Sequence, residues 1–234
     1  EDAKAVRAGA KPLMRSPREE RTLLESPPEK VDPRSWMTVR NQGGIGSCRG
    51  HDDSACASVD FYRQCFGVEL QFSAAFSYRT GQIEDGIDGD RGSTIEKGLV
   101  ARQKYGICPE MVFPYREDYR YIKNIPRAAY DEAKHYKLKD WSIADSPEAV
   151  FDHVRLGYSI SIGMMWGKSV DSQVSQNNGV LRNWRFERNS GGHAVPGLGV
   201  DKIDGVDHLL VRNSWSTRWG QGGWMKVHRD ALAQ

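Results

Sequence analysis

The spacing of apolar residues changes near the middle of the chain, and no other feature of the sequence constrains the fold as strongly. In the first half, apolar side chains recur at the intervals of an α-helix. This pattern predicts helices over residues 48–66, 94–105 and 127–136, the first with Ser47 as its N-cap and Gly67 at its C-terminal end. The first half is therefore expected to be mainly helical.

The second half has the pattern of a β-rich lobe. One helix is predicted from the Ser146-Pro147-Glu148 signal, and Asp204-Gly205 is a hairpin-turn signal. The strand-like runs lie at residues 158–164, 193–200, 208–212 and 224–228. A helical lobe followed by a β-rich lobe is an α+β arrangement, and the cleft between the two lobes is the expected binding site.

Residues 1–30 differ in composition from the rest of the chain. They hold 13 charged residues and four of the ten prolines, which is typical of an arm or linker. We expect a plain linker, the remnant of an inhibitory pro-segment, or a tether to a partner in a larger assembly. Because the chain starts at Glu1 and shows no apolar signal-peptide core, a processed or trimmed product is expected. Residues 31–234 are expected to form one domain, with a helical lobe (31–140) and a β-rich lobe (141–234).

Charge and cysteine content narrow the classes of function. Lys and Arg total 33 against 31 Asp and Glu, and no basic block is dense enough to follow a phosphate backbone, so a nucleic-acid partner is not expected. No apolar run approaches the roughly 18 residues that span a membrane. The four cysteines form no C-x-x-C pair, and neither a metal nor a cofactor is expected. Their number is compatible with the cytoplasm or with a viral or bacterial particle, which leaves the localisation open.

Cys48 is the candidate nucleophile. A thiol attacks a carbonyl carbon only as thiolate, and a helix N-terminus favours the thiolate through its partial positive charge and its free N–H groups. The sequence places Cys48 at that position, directly after a glycine-rich loop at residues 41–47. Cys56, Cys65 and Cys108 lie inside or just after helical patterns, where a buried and inert thiol is expected.

Three segments around these residues resemble the papain family of cysteine peptidases. N-Q-G at residues 41–43 and G-S-C at 46–48 are similar to the family's N-Q-G-x-C-G-S-C-W segment. The family signature places a His and an Asn about 130–150 residues downstream. His193 lies within this interval in G-G-H-A-V, and Asn213 lies somewhat beyond it in V-R-N-S-W, with the Asp204-Gly205 hairpin as the place for the extra residues.

The resemblance covers about residues 31–229 and is weaker between the catalytic segments. Glycine and aromatic positions at 67–73, 92–93, 104–106, 113–115 and 219–224 also match. The chain looks closer to bacterial and viral members than to plant papain. The family has a two-lobe fold, with a helical lobe, a β-barrel-like lobe and the active site in the cleft between them.

The resemblance implies a role for each matched residue. Cys48 would be the nucleophile, His193 its base and Asn213 the residue that orients the imidazole. The Gln42 side chain would help to bind the oxyanion. Gly92, Ser93, Gly192 and Trp215 would line the substrate groove, although residues 89–93 are also compatible with a plain surface turn. The implied partner is a peptide or protein substrate.

The chain departs from the family directly after the nucleophile. Close relatives of papain have Trp, a small residue, Phe and Ser there, whereas this chain has R-G-H-D-D at residues 49–53. Asp52 lies one helical turn after Cys48, so its carboxylate would oppose formation of the thiolate. Carboxylates in the first turn are also favoured by the helix dipole, and Arg49 or His51 would be the groups to neutralise them. Ile45 also replaces a disulfide cysteine of the family, and Ser216 replaces a glycine.

Three functions are compatible with this pattern. The leading hypothesis is a cysteine peptidase that hydrolyses peptide bonds through a thioester on Cys48. The second is a catalytically inactive binding or structural module with the same fold, which the charged run at residues 49–53 favours. The third keeps the Cys-His chemistry but transfers the acyl group to an amine or cleaves a non-peptide amide, and no feature of the sequence calls for it.

Overall fold

The computed structural model describes residues 25–64 and 67–233 of the chain. Its helical part consists of α1 (Cys48–Gln64), α2 (Ala74–Asp85), α3 (Ile95–Tyr105), α4 (Tyr119–Lys123), α5 (Arg127–Ala133) and α6 (Pro147–Arg155). The three helices predicted for the first half are present, and the third ends at Ala133 instead of Tyr136. Most of the 1–30 segment lies outside the described residues, so its role stays a prediction.

The second half contains a sheet, for which strands were predicted. It also contains one helix that the sequence pattern did not predict. The strands are β1 (Ile160–Trp166), β2 (Val180–Leu181), β3 (Gly191–Ile203), β4 (Val206–Arg212) and β5 (Trp224–His228), and α7 (Lys168–Gln176) follows β1. Within the described residues the strand order is β1-β3-β4-β5-β2, antiparallel throughout except for the β2–β5 pair. The predicted hairpin joins β3 to β4, with Asp204 and Gly205 at φ 51° and 79°. The predicted α+β architecture is confirmed.

Helix α1 begins at the predicted residue, but Ser47 contributes differently from a standard N-cap. The Ser47 carbonyl accepts the His51 N–H at 3.0 Å, as an N-cap carbonyl does, and the difference lies in the side chain. The Ser47 hydroxyl lies 2.8 Å from the Tyr115 hydroxyl and 3.4 Å from His51 Nδ1. Gly50 permits close packing of α1 on α2, because a Cβ on it would lie 2.7 Å from the Tyr78 Cβ. The start of α1 is thus fixed by buried neighbours and by close helix packing.

Three apolar clusters form the core. One lies within the helical part and includes Phe72, Phe76 and Phe113. A second covers the sheet, between β3–β5 and helices α6 and α7. The third joins α1 to the sheet and contains the buried residues Met37, Ala55, Cys56, Val59, Leu198, Leu210 and Trp224. The N-terminus of α1 is therefore held against the β-rich half of the molecule. Among the described residues, every helix is too short or too polar to cross a lipid bilayer.

Candidate active site

Cys48 lies at the N-terminus of α1 and faces strand β3. Burial raises the pKa of its thiol, and hydrogen bonds from the backbone of Ala194 and Arg49 act in the opposite direction. Ala194 directly follows His193 on β3. The structure therefore brings the sulfur to the part of β3 that carries the predicted base.

His193 and Asn213 are hydrogen-bonded to each other. The distance from His193 Nε2 to Asn213 Oδ1 is 2.9 Å, and both side chains are buried. Asn213 Oδ1 also accepts the Ser214 N–H at 2.7 Å, which fixes the orientation of the amide. In the neutral ring, Nε2 then carries the proton and Nδ1 is the nitrogen free to accept one from a thiol. Burial lowers the pKa of His193, whereas the bond to Asn213 raises it.

Tryptophan rings enclose the imidazole. Trp215 stacks on His193 with ring centroids 4.7 Å apart, and Trp166 meets it edge to face at 4.9 Å. Trp219 packs against both of these indoles, at 5.6 Å from Trp166 and 6.0 Å from Trp215. Trp215 was predicted as a site residue, but Trp166 was missed because the predicted strand ended two residues before it. An indole at the end of an apolar strand was the available signal.

The Gln42 side chain is held by two partners. Its Nε2 donates to the Ile45 carbonyl at 2.9 Å, and its Oε1 accepts from the Ser214 hydroxyl at 2.6 Å. The Gln42 carbonyl accepts from the Tyr115 hydroxyl at 2.6 Å. Since Ser214 directly follows Asn213, the glycine-rich loop and the end of β4 are linked beside the site. An amide nitrogen has two N–H groups, so one remains for an incoming oxygen atom.

Two carboxylates hold the glycine-rich loop from outside. The Gly44 N–H donates to Glu117 at 2.6 Å, and the Gly46 N–H donates to Asp90 at 2.9 Å. The family resemblance gave no indication of these contacts. They join the loop to the segments before α3 and α4.

The predicted groove residues lie in different surroundings. Gly92 is next to the glycine-rich loop, because a Cβ on Gly46 would lie 3.4 Å from the Gly92 nitrogen. The Ser93 hydroxyl accepts a hydrogen bond from Arg49 Nε at 2.9 Å, so it faces the protein interior. Gly192 pairs with Met165 on β1, and a Cβ there would meet nothing within 4 Å.

Arg49 is a counter-charge for the first-turn carboxylates, which was one of the two expectations from sequence, and its ion pair is with Asp53. Its guanidinium is fully buried and donates to the Ser77 hydroxyl at 2.7 Å, and Nη1 lies 3.7 Å from Asp53. The space exists because Gly81 and Gly98 lack a Cβ that would collide with the guanidinium. Asp53 is therefore the ion-pair partner of Arg49, whose charge also favours the ionised form of Asp52.

Asp52 is buried and accepts a hydrogen bond from the Ser161 hydroxyl of β1. Burial raises its pKa to about 7, and its charge raises the pKa of Cys48, as the sequence predicted. The expectation that His51 neutralises the first-turn carboxylates is wrong, because burial lowers its pKa to about 3 and the ring is neutral at pH 7. Its Nδ1 lies 3.1 Å from the Ser47 carbonyl. Within residues 25–64 and 67–233, no His, Cys, Asp and Glu side chains are grouped so as to hold a metal ion.

Comparisons with known proteins identify the family of this chain. Residues 27–233 match the profile of the papain family cysteine proteases. An uncharacterized peptidase C1-like protein of Acanthamoeba polyphaga mimivirus is 28% identical over 198 residues, which is 80% of this chain and 63% of that protein. The chain spans about three fifths of the length of the curated relatives it matches.

Solved structures of cysteine proteases are also similar to this chain. Xylellain, a cysteine protease from Xylella fastidiosa, superposes with a TM-score of 0.75 at 25% identity, over 91% of this chain and 84% of that one. A Carica candamarcensis cysteine protease in complex with E-64 shares the fold, with a TM-score of 0.61 at 23% identity over 86% and 89% of the two chains. The two-lobe papain-like fold and the similarity to bacterial and viral members, both predicted, are confirmed. The chain belongs to the papain family of cysteine proteases.

Proposed function

We propose that this chain is a cysteine peptidase that cleaves peptide bonds through a thioester on Cys48. The observation that carries the proposal is the pairing of His193 Nε2 with Asn213 Oδ1 at 2.9 Å, beside a sulfur that contacts the backbone of Ala194. In this arrangement Nδ1 of the imidazole is the atom that takes the thiol proton. The thiolate then attacks the carbonyl carbon of the substrate.

The remaining steps follow from the same groups. The carbonyl oxygen becomes an oxyanion, which the free N–H of Gln42 Nε2 and the Cys48 backbone N–H would bind. The imidazolium returns its proton to the leaving amine, and the C–N bond breaks to leave a thioester. Water then attacks the thioester with His193 as base, which releases the acid and restores the thiol.

The peptide substrate would lie between Gly92 on one side and Gly192 and Trp215 on the other. The role of Gly92 is supported by its position next to the glycine-rich loop. The role of Gly192 is supported by the open space that a Cβ there would enter. Ser93 would act through its backbone, since Arg49 engages its hydroxyl.

A catalytically inactive module with this fold is the second candidate. Two observations favour it: burial raises the pKa of Cys48, and the buried Asp52 adds a charge that opposes the thiolate. The enzyme therefore depends on the imidazolium of His193 to stabilise the thiolate. Without that pairing the thiol would remain protonated at neutral pH.

Covalent labelling separates the two candidates. E-64 and iodoacetamide at pH 7 should modify Cys48 faster than an ordinary exposed thiol, and a dipeptidyl fluorogenic amide should be hydrolysed. Cys48→Ala should abolish both reactions, whereas Cys108→Ala, at a buried thiol in the apolar core of the helical part, should not. If Cys48 reacts no faster than a free thiol and E-64 leaves it unmodified, the inactive module is the correct reading.

A further inference from the structure

Asp171 connects two segments of the wall around His193. It lies in the first turn of α7, and its Oδ1 accepts the indole N–H of Trp166 at 3.3 Å and that of Trp219 at 3.0 Å. Trp166 ends β1, whereas Trp219 belongs to the loop between β4 and β5. One carboxylate oxygen thus holds together two distant parts of the chain.

The two indoles bound by Asp171 are in contact with the imidazole or with its stacking partner. Trp166 meets His193 edge to face at 4.9 Å. Trp219 packs at 6.0 Å against Trp215, which stacks on His193 at 4.7 Å. Indole orientation around the ring is therefore constrained by the position of Asp171.

The charge of Asp171 also acts on the imidazole. The polar and titratable groups near His193 are Asn213 at the end of β4, Asp171 of α7 and His51 of α1. Cys48 of α1 contacts the backbone of Ala194, the next residue on β3. His51 is neutral at pH 7, as its burial requires. Burial of His193 favours the neutral ring, whereas the Asn213 bond and the Asp171 carboxylate favour the charged one. Asp171 is exposed, so solvent weakens its effect.

We propose that Asp171 is a positioning residue for His193: its carboxylate orients the indole wall and stabilises the imidazolium form that the thiolate requires. The catalytic part of this inference rests on the proposed function, because it assumes that His193 pairs with Cys48. The contact between Asp171 and the indoles does not depend on the proposed function.

The test compares Asp171→Asn and Asp171→Ala with Asp152→Asn, an exposed aspartate on α6. In each case the imidazole of His193 is titrated by NMR in a Cys48→Ala background, which removes coupling to the thiol. Asp171→Asn keeps an oxygen acceptor for the indoles but loses the charge. It should lower the pKa of His193, because the Asp171 carboxylate favours the imidazolium form. Asp152→Asn should leave it unchanged.

The indole signals report the positioning role. In Asp171→Ala the N–H resonances of Trp166 and Trp219 should shift and exchange faster with solvent, while Asp171→Asn keeps them near their original positions. If Asp171→Ala fails to fold, Asp171→Asn still tests the charge. An unchanged His193 titration in Asp171→Asn overturns the electrostatic part, and unchanged indole signals in Asp171→Ala overturn the positioning part.

Failure of the proposed function has a different signature. With Cys48 intact, the alkaline limb of E-64 labelling should move to lower pH in Asp171→Asn, because the imidazolium loses its proton earlier. If E-64 does not label the wild-type chain while the His193 titration still shifts in Asp171→Asn, the peptidase proposal is wrong and the coupling to Asp171 stands.

Discussion

Arg49 and Asp53 lie one turn apart at the start of α1, with Nη1 3.7 Å from Oδ2 and both side chains excluded from solvent. Asp53 is also 3.3 Å from Arg102 of α3. A charged cluster therefore lies in the first turns of α1, next to Cys48, and Arg49 stands where close relatives of papain have Trp. The members of this cluster come from α1 and α3, and Arg49 also donates to the Ser77 hydroxyl of α2, so the cluster joins α1 to the rest of the helical lobe.

Arg49→Met should destabilise the protein by about 3 kcal/mol, because it leaves the buried Asp53 with one cationic partner instead of two. Urea unfolding at pH 7 measures the change. Arg127→Met is the matched control: Arg127 pairs with Asp131 on the surface, where loss of the pair should have no measurable effect. Equal midpoints for Arg49→Met and the wild type would contradict the assigned role of this ion pair.

Asp52→Ser should lower the pKa of the Cys48 thiol, because it removes a buried negative charge that opposes the thiolate. The pH dependence of iodoacetamide alkylation measures this pKa. The difference between variant and wild type should be largest above pH 7, where Asp52 is ionised, and small near pH 5, where it is protonated. A thiol pKa that stays the same or rises would show that Asp52 does not act on the sulfur.

Asp52 should also make folding less favourable as pH rises. Its pKa is about 7 in the folded chain against about 3.9 when unfolded, so the folded state binds the extra proton between these values. The free energy of unfolding should therefore fall between pH 4 and pH 7, by about 4 kcal/mol at most.

Asp52→Asn keeps an acceptor for Ser161 and should remove most of this slope. Urea unfolding at pH 5 and pH 8 provides the comparison, with Asp152→Asn as the exposed control. The prediction concerns the free energy of unfolding of the wild type relative to that of Asp52→Asn. If this difference favours the wild type more at pH 8 than at pH 5, the predicted sign is wrong.

Gln42→Ala should lower kcat for a fluorogenic peptide by about 100-fold and change KM little, because the lost N–H would bind the oxyanion and not the ground-state carbonyl. The control is Gln103→Ala on α3, whose amide contacts Lys139 and Trp141 away from the site. Unchanged kcat in Gln42→Ala would exclude the side chain from oxyanion binding. The folded state of each variant is checked by its urea midpoint.

The secondary structure that sequence reasoning missed has a physical explanation. Most of α2 is buried, including Ala74, Phe76 and Tyr78, so it shows no apolar face of helical period. In α7 the buried apolar side chains are Val170 and Val174, too few for a clear pattern. The helices that were predicted, such as α1 and α3, are bounded by local signals, including Thr94 and Gly106 at the ends of α3.

The sequence alone was sufficient to predict the family, the α+β class and the candidates Cys48, His193 and Asn213, because local signals and short motifs survive in the linear order of residues. Only the tertiary structure decided which charges meet. Asp53 forms an ion pair with Arg102 of another helix, and Asp52 accepts a hydrogen bond from Ser161 of the sheet. Asp171 accepts hydrogen bonds from two indoles. Burial and the distance to partners far along the chain set the electrostatics of such groups, and neither quantity is encoded in the spacing of neighbouring residues.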